Sequence, residues 1–271
     1  MFIPVMLMMG ISSSVAHPDL IEQIVQVTEQ LSQRGEAADL FRQRSELFRR
    51  HGQFEAALTD LAAAERMQTN IPPLTLERAR IFCEAGRAPE ALTAIQSFLQ
   101  SEPENCEGLL IRAQARARLG QEEAALVDYN AAIRGSPAPA PDLYLERARL
   151  QASLGRLAEA ARGLDEAASN TPFASPLQLT AIEYDRRRGA FDPALARVAE
   201  LVKRYPVKEP WLTLRAEVLE QAGRTNEARL TFEQVLAGIE TYPTVRRSLD
   251  LTKQLENRVH QGLTRTTSNN N

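Results

Sequence analysis

The sequence predicts an all-α fold made of six copies of one helix pair. Ala, Leu, Arg, Glu and Gln dominate the 271 residues, and these are strong helix formers. Six glycines recur at separations of 34, 34, 35, 34 and 34 residues, and an alanine follows each of them after five residues. A fixed period of this length indicates stacked repeats, each too small to bury its apolar face alone.

Each repeated feature has a physical role in a helix–turn–helix unit. Glycine adopts the left-handed conformation that ends the first helix and turns the chain. The alanines, and small residues seven positions before five of the glycines, let the two helices approach closely. Proline after the second helix cannot continue it. The glycines are Gly52, Gly86, Gly120, Gly155, Gly189 and Gly223, the alanines are Ala57, Ala91, Ala125, Ala160, Ala194 and Ala228, and the prolines include Pro103, Pro137, Pro172 and Pro206.

This order of small residue, Gly, Ala and Pro resembles the tetratricopeptide repeat family over roughly residues 38–242. The resemblance implies a right-handed α-solenoid of about six helix pairs with a capping helix at each end. It also implies protein–protein interaction, with no catalysis and no cofactor. A narrower likeness, from His17-Pro18-Asp19-Leu20 and from Leu145 to Arg149, is to bacterial exported repeat proteins without assigned activity.

The chain therefore divides into five kinds of segment. A polar tail and two capping helices flank the repeats, and a signal peptide precedes them. The predicted segments are 1–16, signal peptide; 17–37, N-terminal capping helix; 38–71, 72–105, 106–140, 141–174, 175–208 and 209–243, repeats; 244–262, C-terminal capping helix; and 263–271, disordered tail.

The first sixteen residues have the layout of a secretory signal. Residues 2–11 are apolar, and Ser14-Val15-Ala16 places small residues where a signal peptidase cleaves. No Lys or Arg precedes the apolar run. We expect export to the bacterial periplasm or the cell exterior, and a cytoplasmic scaffold if residues 1–16 are retained. The mature chain contains no apolar run of membrane-spanning length.

Charge and motifs disfavour several functional classes. The formal net charge is −3, from 32 basic and 35 acidic residues, which argues against a nucleic-acid-binding protein. No phosphate-binding Gly-rich loop, Gly-x-Ser-x-Gly or His-Glu-x-x-His occurs in the mature chain. A second hypothesis is a metal or small-ligand binder that uses the amine and imidazole of a new N-terminal His17. Cleavage after Ala16 would expose that group, but His51 and His260 are distant in sequence.

Two other residue sets receive structural interpretations. Cys83 and Cys106 belong to successive first helices and are offset by about 16 Å along the axis, so we expect no disulfide between them. An arginine occurs eight residues before five of the glycines, and its stem is expected to pack between helices rather than to bind phosphate. These arginines are Arg44, Arg78, Arg112, Arg147 and Arg215.

The family resemblance also implies a concave groove, lined by the first helices, that binds a peptide or partner protein. Transferring the groove positions gives four apolar and four polar residues, one pair in each central repeat. They are Leu76, Arg80, Leu110, Gln114, Leu145, Arg149, Leu179 and Glu183. The four leucines either contact a partner or only pack neighbouring first helices, and the sequence leaves both interpretations open. Two acids, Glu46 and Glu77, disfavour a carboxylate clamp in the first two repeats.

Overall fold

The computed structural model describes residues 18–67, 72–169 and 175–268. This part of the chain forms fifteen helices and no strand, so the predicted all-α fold is confirmed. The chain divides into two compact units, residues 1–137 and 138–271. The predicted signal peptide lies outside the described residues.

The first unit contains seven helices that pack as consecutive antiparallel pairs. Helix α1 packs against α2, and three first-helix and second-helix pairs follow: α2 with α3, α4 with α5, and α6 with α7. Their bounds are α1 Pro18–Arg34, α2 Ala38–Arg50, α3 Phe54–Met67, α4 Pro72–Glu84, α5 Ala88–Ser101, α6 Cys106–Arg118 and α7 Glu122–Gly135.

The second unit repeats this arrangement with α8 and α9, α10 and α11, and α12 and α13. Two further helices follow, and α15 packs on both α12 and α13. The bounds are α8 Pro141–Ser153, α9 Leu157–Ser169, α10 Ser175–Arg187, α11 Phe191–Arg204, α12 Glu209–Gln221, α13 Thr225–Glu240, α14 Thr244–Arg247 and α15 Asp250–Ser268.

The glycine turns have the predicted conformation. All six periodic glycines have φ between 72° and 79°, the left-handed region in which a side chain would be strained. At the first turn, Gln53 N donates to the Phe48 carbonyl at 2.8 Å, so a carbonyl at the end of α2 keeps a partner. Gly35, between α1 and α2, has φ 81° and forms a seventh such turn.

The small residues occupy the helix crossings. In the first repeat, the Ser45 hydroxyl donates to the Ala57 carbonyl at 2.8 Å across α2 and α3, and Ala57 is fully buried. Leu61, Leu74 and Ile81 surround this crossing with apolar side chains. Burial of such side chains contributes about 1.5–3 kcal/mol each, which makes them the main stabilising contacts of the repeat.

The C-terminal segment differs from the prediction in two ways. The single helix predicted over 244–262 is divided into α14 and α15, and the tail predicted to be disordered from residue 263 is helical to Ser268. The physical reason is packing: Val259 and Thr266 are fully buried, and Gly262 contacts the Phe232 ring. The polar composition of this segment concealed its buried face.

Candidate functional site

The predicted groove residues lie on first helices in both units. In the first unit, Leu76 and Arg80 lie on α4, and Leu110 and Gln114 lie on the neighbouring α6. In the second unit, Leu145 and Arg149 lie on α8, and Leu179 and Glu183 lie on the neighbouring α10. Each pair is four residues apart and therefore shares one helix face. We call the surface of the first helices that carries each set the first-helix face of that unit; it includes the equivalent surface of α2 in the first unit and Arg187, one turn after Glu183, in the second.

Bonds between successive first helices define how the helices are aligned. Their partners are separated by 35 residues in four cases. Arg42 donates to Glu77 at 2.7 Å, Arg49 to Glu84 at 2.5 Å, Arg118 to the Cys83 carbonyl, and Arg186 to Gln221 at 2.7 Å. Side chains 35 residues apart on neighbouring first helices of one unit therefore face each other.

Ion pairs neutralise the arginines along the first-helix face of the first unit. Arg80 is bonded to Glu107, and Arg49 bonds Glu46 as well as Glu84. The hydrogen bonds from Arg49 hold the pKa of Glu46 below its ordinary value. Leu76 and Leu110 are half-buried, and Gln114 accepts a bond from the Cys83 thiol at 3.4 Å. This face has few unsatisfied donors for a ligand.

The first-helix face of the second unit is more open. Leu145 packs against the buried cluster around Ala148, whereas Leu179 leaves 40% of its surface exposed. Glu183 is bonded to Arg186 at 3.4 Å, while Arg149 is exposed. The two interpretations of the leucines therefore separate by residue: Leu145 packs the helices, and Leu179 has surface available for a partner.

The recurring arginine has the predicted structural role in three repeats. Arg44 and Arg112 each bind one buried carboxylate with two nitrogens, Asp60 at 2.7 and 2.8 Å and Asp128 at 2.9 and 2.7 Å. Arg78 is bonded to Glu65. Two-pronged bonds of this kind fix the second helix to the first, and they occupy the guanidinium groups that a phosphate would need.

The cysteines are not joined. Cys83 is buried and Cys106 is partly buried, and both are free thiols, as the helix geometry predicted. Cys83 has structural contacts on both sides, since its thiol reaches Gln114 and its carbonyl accepts from Arg118.

The structure offers no assembled metal site in the part that it describes. Among residues 18–67, 72–169 and 175–268, no three His, Cys, Asp or Glu side chains are grouped closely enough to hold an ion. His17, on which the metal hypothesis depends, lies outside these ranges. No described helix is both long and apolar enough to span a membrane.

An open pocket of about 800 Å³ in the second unit is lined by residues of α9 and α11 and by Gln178 of α10. Its charges are largely paired: Arg197 binds Asp165 at 2.5 Å, and Lys203 binds Glu200 at 2.7 Å. The first-helix face is therefore the stronger candidate site.

Comparison with known proteins agrees with the repeat pattern and the helix pairs. The family described as tetratricopeptide repeat matches residues 76–139. Residues 76–139 therefore contain tetratricopeptide repeats, and the helix pairs on either side of them have the same fold. No curated protein matches its sequence significantly. Proteins of this repeat family are generally non-catalytic.

Solved structures with the same fold share little sequence with this chain. A tetratricopeptide repeat protein from Parabacteroides merdae is 23% identical, with a TM-score of 0.54, and the match covers 86% of this chain and 93% of that one. PilF from Pseudomonas aeruginosa is 16% identical, with a TM-score of 0.55 and coverage of 74% and 90%. YrrB, described as having an unusual peptide-binding site, is 12% identical, with a TM-score of 0.50 and coverage of 65% and 91%. At these identities the likeness establishes the fold alone.

Proposed function

We propose that this protein is a non-catalytic interaction scaffold that binds a peptide segment of a partner protein on the first-helix face of its second unit. The observation that carries the proposal is the 40% exposure of Leu179 beside charged side chains on that face. An exposed apolar anchor with polar neighbours suits an extended or helical peptide. Peptide binding in the tetratricopeptide protein YrrB is consistent with this use of the fold.

Peptide display tests this proposal. The full chain is immobilised, peptides are selected from a random library, and the affinity of the selected peptides is measured by fluorescence anisotropy. We expect Leu179→Asp to weaken binding about tenfold or more, because it removes an apolar contact and buries a charge.

Leu230 provides a matched control. It is 58% exposed but lies on the second helix α13, so Leu230→Asp makes the same substitution, an exposed leucine to aspartate, outside the first-helix face. Exposed substitutions of this kind change stability by about 0.5 kcal/mol or less, so both variants should fold. Failure to select any peptide, or equal loss of binding in the two variants, would reject the proposal.

We further propose that the protein acts after export. The support is the apolar run of residues 2–11 followed by Ser14-Val15-Ala16. N-terminal sequencing of the native protein tests this. A first residue of His17 supports export, and a retained residue 2 supports the cytoplasmic alternative.

A further inference from the structure

Two arginines on the first-helix face of the second unit differ from those of the first unit. Arg149 on α8 and Arg187 on α10 are both exposed. Among the ion pairs of the described residues, none includes Arg149 or Arg187. In the first unit, by contrast, Arg42, Arg49 and Arg80 are each bonded to a carboxylate.

The alignment of the first helices explains why these arginines lack counter-charges. Residues 35 apart face each other, so Arg187 faces Ala152, and Arg149 faces Tyr184. The equivalent residues of the first unit are charged: Arg49 corresponds to Ala152, and Glu84 corresponds to Arg187. Arg49 and Glu84 form an ion pair at 2.5 Å. The methyl group of Ala152 supplies no charge, and the Arg187 guanidinium therefore has free donors.

The two arginines converge on one tyrosine. The Arg187 guanidinium lies 5.9 Å from the centroid of the Tyr184 ring, and only 6% of Tyr184 is exposed. Burial raises the pKa of Tyr184, while Arg149 and Arg187 both act to lower it, which places both cations near the phenol. The two carboxylates of α10 are bonded to other arginines, Glu183 to Arg186 and Asp185 to Arg188 and Arg197.

We propose that Arg149, Tyr184 and Arg187 form a binding site for a side-chain carboxylate of an acidic peptide segment. Two guanidinium groups and a hydroxyl supply donors for both carboxylate oxygens, and arginine is suited to such planar, two-pronged recognition. The ring positions the site without contributing charge. This inference rests on the proposed function, because it assigns the partner's chemistry on the same face.

The distance to Leu179 adds a spacing requirement. Leu179 and Arg187 are eight residues apart on α10, which corresponds to about 12 Å along the helix. An extended peptide spans this distance with about four residues. The partner segment therefore carries an apolar residue about four positions from an acidic one.

The probe is a fluorescein-labelled peptide, Gly-Leu-Ser-Ser-Ser-Glu-Glu-Gly with an amidated C-terminus, and its affinity for the full chain is measured by fluorescence anisotropy. We expect Arg149→Ala and Arg187→Ala each to raise the Kd about threefold to tenfold, and Tyr184→Phe to raise it less. Binding should also weaken as salt is added. The corresponding Gln-Gln peptide should bind more weakly than the Glu-Glu peptide.

Arg162→Ala is the matched control, because Arg162 is exposed in the same unit but lies on the second helix α9. It makes the same change in net charge and should leave the Kd unchanged. Equal effects of Arg162→Ala and Arg187→Ala, or equal binding of the Gln-Gln peptide, would overturn the site. If library-selected peptides bind while this probe does not, only the acidic site is rejected; if neither binds, the proposed function is rejected with it.

Discussion

The guanidinium of Arg197 on α11 bonds the carboxylate of Asp185 on α10, and this pair reverses the charges of the third repeat. There Arg116 on α6 bonds Asp128 on α7 at 2.7 Å, from the same two positions relative to the turn glycine. Arg116 and Asp185 each lie four residues before that glycine, and Asp128 and Arg197 each lie eight after it. The helix pair is thus held by an ion pair of either polarity.

Removing one partner of the reversed pair should destabilise the second unit. Asp185 is fully buried, so Arg197→Ala leaves a buried carboxylate whose one remaining ion-pair partner among the described residues is Arg188, at 2.8 Å. We expect a loss of about 3 kcal/mol in the free energy of unfolding. Urea unfolding followed by fluorescence of Trp211, the single tryptophan, reports on this unit.

The exposed pair Lys203 and Glu200 on the same helix α11 supplies the comparison. Lys203→Ala should cost about 0.5 kcal/mol or less, because exposed ion pairs contribute little. Similar losses in the two variants would show that burial of Asp185 does not govern the effect.

The helix pairing could be predicted because it depends on short local signals. Periodic glycines at each turn, and small residues such as Ser45 and Ala57 at a crossing, have one physical use at that spacing. The reversed ion pair was not predicted, although the arginine eight residues before the turn is replaced by Ala181 in that repeat. The absence of the recurring arginine at position 181 does not indicate that Asp185 and Arg197 form the ion pair that joins the two helices instead.

The candidate site was predicted only in part. Arg149 and Leu179 were assigned to the groove from their repeat positions, but Tyr184 and Arg187 were not. Tyr184 occupies a position that is apolar and buried in neighbouring repeats, so its residue type suggested core packing. The absence of a counter-charge at Ala152 becomes visible only when the first helices are aligned. Along the chain, the boundary between the two compact units falls in the Pro-rich segment Pro137 to Pro141, within the one repeat whose period is 35 residues.

Acid should weaken the link between Glu46 and Arg49. The hydrogen bonds from Arg49 lower the pKa of Glu46 from its ordinary value of 4.5. A carboxylate with a lowered folded-state pKa contributes stability above pH 4.5, and this contribution is lost as the pH falls through the lowered value. Glu46→Gln should therefore be less stable than the wild type at about pH 7 and equal to it once the pH lies below the lowered pKa of Glu46, where both side chains are neutral.

The size of this effect is limited by solvent. The Glu46 side chain is 45% exposed, so we expect no more than about 1 kcal/mol at neutral pH. Urea unfolding followed by circular dichroism at the two pH values measures it. If the free energies of unfolding of the wild type and Glu46→Gln differ by the same amount at both pH values, ionised Glu46 does not stabilise the protein through Arg49.

Alkaline titration should reveal one tyrosine, Tyr242, that ionises at a higher pH than an ordinary tyrosine. Burial, together with Glu209, raises the pKa of Tyr242 from 10.0 to about 12. Because the pKa of Tyr242 is raised in the folded state, the contribution of its neutral phenol to the free energy of unfolding is fully present below pH 10. That contribution is lost as the pH rises through about 12. The ultraviolet absorbance of tyrosinate should show a component near pH 12 that is missing in Tyr242→Phe. If Tyr242→Phe instead lacks a component that titrates near pH 10, Tyr242 ionises at the ordinary tyrosine pKa.

Adding one methyl group to α15 should test its packing on the last repeat. A Cβ at Gly262 would lie 2.3 Å from the Phe232 ring, and Phe232 is fully buried, so the ring has no room to move. Overpacking of this kind costs about 1–3 kcal/mol, which exceeds the gain of about 1 kcal/mol in helix propensity. Gly262→Ala should therefore lower the free energy of unfolding.

Gly163→Ala on α9 is the control variant. Its new methyl group meets only the end of the flexible Arg147 side chain, and the free energy of unfolding should be unchanged or higher. The expected result in Trp211-monitored urea unfolding is a loss of stability in Gly262→Ala and no loss in Gly163→Ala, and a stabilising Gly262→Ala would mean that α15 is not packed against Phe232.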